Sequence, residues 1–182
     1  GTLNVPLSAS FLSYGGQVIP LDRPLFLIVD SSRDGAAEEA VAALRLIGFD
    51  RVEGVFGADA LQEAATATGR QVTVAEAAAG LERGEMVLVD VRGRAEYDAE
   101  HIAGARHLAL ASLANSLGEL PRDRELVLQC ETGSRSAVAA SLLRMNGFDR
   151  VANLAGGIKA WKEQGLETAC ESGGRGAERP RG

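Results

Sequence analysis

The fourteen residues "LRLIGFDRVEGVFG" (44–57) return 99 residues later as "LRMNGFDRVANLAG" (143–156), with eight of the fourteen positions identical. A match of that length marks two copies of one module and constrains the fold more than any single motif. Each copy has the same order. A short apolar strand comes first, "LFLIVD" in one copy and "ELVLQC" in the other. A helix follows, over Ala36–Ile47 and Ser136–Asn146. Each helix is stopped by a glycine, Gly48 or Gly147, suited to a left-handed C-cap. The next strand begins at Arg51 or Arg150, and a second short helix ends near Thr68 or Gln164. Strand, helix, strand, helix in short units predicts an α/β fold with a mainly parallel sheet flanked by helices.

The second copy has more in front of it. "VTVAEAAAGLERG" reads as a short strand or cap and a helix. "EMVLVDV" is the continuous apolar run of a strand buried on both faces. "RAEYDAEHIAGARHLAL" gives a short helix, a turn at Gly104 and another strand, and "LASLANSLGEL" a helix that stops before Pro121. The first copy, starting at "GTLNVPL", lacks a counterpart of residues 72–103. Three segments follow: a partial, degenerate module over 1–70, a complete one over 71–169, and a disordered tail over 170–182, "CESGGRGAERPRG", with almost nothing to bury. A parallel sheet short of an inner strand exposes an apolar face and open edges. The favoured expectation is therefore a chain cut from a longer protein, within its first module; the alternative is that residues 1–70 pack against the second module as a half-domain.

Composition excludes several functions. Among 182 residues the net charge is −6, which argues against nucleic acid or an anionic membrane as partner. No apolar run approaches the roughly 18 residues of a membrane span. The first residues lack a signal-peptide layout, so the cytoplasm is the default location. Two cysteines, Cys130 and Cys170, and two histidines, His101 and His107, are too few for a disulfide framework or a zinc site. No metal or other cofactor is expected.

The chemistry points to "VLQCETGSRSA", residues 127–137. The chain turns here from strand into helix, at the carboxyl end of a parallel strand, where open α/β sheets bind ligands. Loop amides and the first free N–H groups of the helix form a small bowl that favours anions. A helix N-terminus and a nearby cation favour thiolate over thiol. Gly133 permits backbone angles closed to other residues, Arg135 brings fixed positive charge, and Ser136 can cap the turn or donate to the sulfur. A buried structural thiol is the alternative. Cys-x-x-Gly-x-Arg-Ser at this junction favours the nucleophile.

These residues resemble a known family. "VLVDVRGRAEYDAEHIAGARHL" and "LVLQCETGSRSAVAASLLRMNGFDRVANLAGGIKAW" are similar to the rhodanese (sulfurtransferase) domain over about residues 72–168. The resemblance takes in Asp90–Arg92, Glu96–Tyr97, His101–Gly104, the Cys130 loop and Gly156–Trp161. It implies a rhodanese-like fold and sulfur transfer through a Cys130 persulfide, without a cofactor. A small sulfur donor, persulfide or thiosulfate, and a thiophilic acceptor would be the partners. It makes Cys130 catalytic, and Glu131, Thr132, Gly133, Ser134, Arg135, Ser136 and Arg92 the binding residues. The first copy resembles an inactive module, with "DSSRDG" for the Cys loop and Asp30 at the place of Cys130. Its start is similar to the degenerate segment in fusions of a metallo-β-lactamase-fold hydrolase, of the persulfide dioxygenase kind, with two rhodanese domains. Such a hydrolase is thereby implied as a partner domain.

Single residues have plainer readings too. Arg92 can hold substrate or pair with a carboxylate such as Glu96, the pairing being favoured. Asp90 ties a loop, His101 fixes a turn and Trp161 is core. Gly156 and Gly157 let backbone approach the Cys loop. Cys170 is a tail thiol. Glu100 stands where the family usually has glycine. Glu131 puts negative charge beside the sulfur and disfavours a dianion such as thiosulfate. Two rival functions remain. A cysteine phosphatase or arsenate reductase usually has five residues between Cys and Arg, against four here. A non-catalytic interaction module is the other.

Overall fold

A computed structural model describes residues 2–30, 32–63 and 69–171. The expected disordered tail, apart from its first two residues, lies outside the described residues. The end of the first module's last helix, near Thr68, lies outside them too.

The second half forms a five-stranded, all-parallel sheet in the order β3–β8–β7–β4–β6. These strands are β3 (Arg70–Val72), β4 (Met86–Asp90), β6 (Arg106–His107), β7 (Glu125–Gln129) and β8 (Val151–Leu154). The central strands β4, β7 and β8 are buried on both faces, in keeping with their mainly apolar sequences. Helix α4 (Val74–Glu82) opens with a capping box between Thr73 and Glu76. With α5 (Arg94–Ala99) and α8 (Gly157–Glu163) it covers one face, where Leu88, Val127, Leu154, Ile158 and Trp161 pack. Helices α6 (Leu110–Leu113) and α7 (Ser134–Met145) cover the other, over Val89, Leu126, Leu128, Leu143 and Phe148. A small, separate antiparallel pair, β5 (His101–Ile102) with β9 (Thr168–Ala169), ties the C-terminal segment back to the stretch that follows α5.

The first half carries α1 (Phe11–Val18), β1 (Leu25–Val29), α2 (Ala36–Leu46), β2 (Val52–Gly57) and α3 (Ala60–Glu63). Strands β1 and β2 make a separate two-stranded parallel sheet. Its inner face packs Leu25, Leu27 and Val52 on Phe11, Leu44 and Phe49. Its outer face leaves Phe26, Ile28 and Phe56 exposed. Helix α1 belongs to both halves: Phe11 sits in the small core, whereas Val18 is buried in the main one. The Asn4 N–H adds a hydrogen bond to Ser141 Oγ on α7, at 3.0 Å.

One expectation changes. "LASLANSLGEL" is not one helix: α6 ends at Leu113, and a separate 3₁₀ turn spans Leu117–Glu119. Asn115, Ser116 and Gly118 are weak helix formers and let the turn break there. Arg70, one residue ahead of the second segment read from the sequence, pairs with Ala152 of β8. The Leu25 N–H donates to Arg51 O, as the Leu126 N–H does to Arg150 O, and a register shift follows Leu25 in the β1–β2 pair.

Candidate active site

Cys130 follows the last residue of β7 and is 1 % exposed. Two donors aim at its sulfur. The Gly133 N–H lies 3.2 Å from Sγ and the Ser136 hydroxyl 3.4 Å. Gly133 caps the start of α7 with φ near 103°, a left-handed angle that turns its amide into the loop. Behind the loop the carbonyls are held from outside. The Ile158 N–H donates to Cys130 O at 2.9 Å and the Lys159 N–H to Glu131 O at 3.2 Å. Asn153 Nδ2 donates to Gly133 O at 3.2 Å. This approach depends on Gly157, since a Cβ there would lie 2.2 Å from Cys130 O.

Around the loop stand two ion pairs. Arg135 gives both terminal nitrogens to Glu96, at 2.6 and 2.7 Å, in the forked geometry that favours arginine. That bond holds Glu96 below the usual carboxylate range and Arg135 above its own, with Cys130 within electrostatic reach of the guanidinium. Arg92 is buried and clamped on Asp90 by Nε and Nη2, with Nη2 also donating to Glu100 O. Burial works against its charge, but Asp90 outweighs it and keeps the guanidinium above its ordinary range. A longer contact, 3.4 Å, runs from Arg92 Nη1 to Glu131.

Strand ends of a parallel sheet, a thiol facing a helix N-terminus and a glycine-tight buttress define one architecture. Residues 73–164 match the rhodanese-like domain family. The chain belongs to the rhodanese-like domain family.

Relatives share that rhodanese segment. The chain is 41 % identical over 123 residues to the probable adenylyltransferase/sulfurtransferase MoeZ of Mycobacterium tuberculosis, covering 65 % of this chain and 30 % of that protein. It thus spans under a third of that relative's length. A sulfurtransferase of Allochromatium vinosum is 37 % identical over 89 residues, covering 49 % of this chain and 83 % of that one. Among solved structures, a rhodanese-like domain from Anabaena sp. superposes with TM-score 0.52 at 27 % identity, over 63 % of this chain and 91 % of that one.

The binding residues read from the sequence are placed unevenly. Gly133 and Ser136 are buried against the sulfur, whereas Glu131, Thr132 and Ser134 are exposed on the loop's rim. Arg135 contributes charge rather than free terminal donors. Arg92 pairs with Asp90, not with Glu96, because Asp90 ends β4 and Arg92, two residues on, folds its fork back over that strand end. His101 stacks on Tyr97, ring centroids 3.9 Å apart, and bonds the Tyr97 carbonyl through Nδ1. The Glu100 backbone is extended (φ −165°), and its carboxylate bonds Lys162 and Thr168, so its replacement of glycine leaves no backbone strain. Trp161 is buried and Cys170 exposed. Sequence reasoning passed over Asn153, whose signal was a lone amide in the apolar run "VANL". It also missed α1, whose Ser13, Tyr14 and Gln17 line a cavity together with Glu96 and Arg135.

Proposed function

We propose that this domain moves sulfane sulfur through Cys130. The Cys130 thiolate attacks the terminal sulfur of a persulfide donor, R–S–SH. A Cys130–sulfur bond forms as the donor's S–S bond breaks, leaving Cys130–S–SH and RS⁻. An acceptor thiolate then attacks the outer sulfur, becomes a persulfide and releases the Cys130 thiolate. The observation that carries this reading is the pair of donors aimed at Sγ, the Gly133 N–H and the Ser136 hydroxyl. A merely structural thiol needs neither, and hydrogen bonds of this kind stabilise sulfur as an anion. The exposed carboxylate of Glu131 at the rim favours a persulfide over the thiosulfate dianion. The same reading sets the domain beside a hydrolase that handles persulfides.

Near-complete burial of the thiol favours a second reading, a non-catalytic interaction module. Mass spectrometry after exposure to a persulfide donor separates the two. Transfer predicts an adduct of about 32 Da, one sulfur, on the wild type and none on Cys130→Ser. A wild type that stays unmodified supports the interaction module.

A further inference from the structure

Asn153 is polar at a strand position where packing alone would favour an apolar side chain. It lies in β8 between Ala152 and Leu154, is 6 % exposed, and pairs with Leu128 of β7. Val151, two residues before it, and Cys130, two residues after Leu128, belong to one packed cluster. By strand alternation Asn153 therefore projects to the face that carries the sulfur. Strands disfavour asparagine, and a buried amide costs stability where a polar atom lacks a partner. Here Oδ1 is buried without one. The residue is held against that cost, and the bonds it donates show what it does.

Nδ2 donates one hydrogen to Gly133 O at 3.2 Å and the other to Gln71 Oε1 at 3.3 Å. Exchanging the amide's oxygen and nitrogen would set Oδ1 against two carbonyl oxygens, so this network fixes the orientation. Gly133 O also accepts the Ala137 N–H at 3.1 Å, in the first turn of α7. Gly133 is thus pinned between helix and sheet at φ near 103°, with its own N–H 3.2 Å from Cys130 Sγ. A glycine without such pins ranges widely, because no Cβ limits it.

We infer that Asn153 is a positioning residue for the sulfur chemistry: from the neighbouring strand it fixes the Gly133 peptide, so that the Gly133 N–H stays aimed at Cys130 Sγ. Gln71 of β3 orients Asn153 in turn. Neither side chain touches the reacting atoms. The inference rests on the sulfur-transfer reading. A hydrogen bond to the sulfur favours its anionic form, so the aim of this amide governs how readily the thiolate is available near neutral pH.

The test follows sulfur loading of Cys130 by mass, with cysteine persulfide as donor, for the wild type, Asn153→Leu and Gln71→Leu. The pH runs from about 6 to about 9.5, the range over which a thiol ionises. Asn153→Leu is close in size and removes the donor, while Gly133 O keeps the Ala137 N–H, so no buried acceptor is orphaned. Its loading should be about fivefold slower than wild type at pH 7, and within about twofold at the upper limit, where a thiol ionises without help. Gln71→Leu is at an exposed position and should show the same pattern with a loss of about twofold at pH 7. It decides the matter should Asn153→Leu misfold. The charged groups around the loop, Arg135 with Glu96 and Arg92 with Asp90 and Glu131, are unchanged in both variants, so the pH profile reports the amide. A purely structural role predicts slowing by the same factor at every pH. That result, or full rate at pH 7, overturns the inference and leaves transfer intact. A wild type loaded at no pH overturns transfer itself, and this inference with it.

Discussion

Two turns in this chain lead from a parallel strand into a helix opened by a left-handed glycine. One runs through Asp30 to Gly35 (φ 75°), the other through Cys130 to Gly133 (φ 103°). The first is closed by local bonds: Asp30 Oδ1 accepts from the Ser32 N–H, and the Arg33 N–H donates to Asp30 O. The second is gripped from outside by the start of α8 and by Asn153. The difference is sized by one atom. By the spacing of the repeated stretch, Gly57 falls where Gly156 does, which puts Ala58 where Gly157 is. Residue 58 carries a methyl, whereas position 157 can tolerate none. The shared scaffold makes a strand–helix turn, and the missing Cβ lets another element press that turn into a rigid bowl.

Gly157→Ala should therefore have the largest effect. Its Cβ would meet backbone atoms of both Cys130 and Glu131 at 2.2–2.8 Å, and φ near 60° adds strain. Denaturant melts should show a loss of about 2–4 kcal/mol, with sulfur loading of Cys130 reduced in parallel. The reciprocal change, Ala58→Gly, is at an exposed position and should stay within about 0.5 kcal/mol. Equal effects at the two positions would break the comparison.

The charge pairs sharpen it next. Arg33 pairs with Glu39 of α2 on the open surface, whereas Arg135 reaches Glu96 across 39 residues and ties the loop to α5. Because Arg135 holds the folded Glu96 below its ordinary value, the pair stabilises fully above the unfolded carboxylate's pKa, about 4.3. That stabilisation fades as pH falls from there through the lower folded value. Glu96→Gln should cost about 1 kcal/mol or less at pH 7, since solvent screens a carboxylate this exposed. It should also flatten the stability–pH curve below pH 4.3. Thermal melts between pH 3 and 7 decide the matter.

Much of this was legible because it is local. The apolar runs of β4 and β7, the glycine stops of the repeated helices and the Cys130 turn are written within a dozen residues each. The parts that were hidden depend on partners far along the chain. Helix α1 carries Gly15 and Gly16 in mid-helix, where glycine weakens any local helix signal, and it is fixed by packing on α6 and α7. The ion pair of Arg92 was legible, but its partner Asp90 was not, because spacing along the sequence does not tell how a strand end folds its arginine back.

The smallest effect concerns the two carboxylates at the turns, Asp30 and Glu131. The shorter side chain bends back onto its own turn, while Glu131, one methylene longer, extends to the rim and meets Arg92 at 3.4 Å. Its charge therefore falls where a donor approaches. Glu131→Lys reverses that charge, and the rate with thiosulfate should rise about three- to tenfold at low ionic strength. Because the residue is exposed, the gain should shrink as salt shortens the screening length towards about 8 Å. Glu131→Asp, which shortens the reach to that of the first turn, should leave the thiosulfate rate within about twofold of wild type. No gain with lysine would mean that donor choice is set deeper than the rim, by the bowl around Sγ.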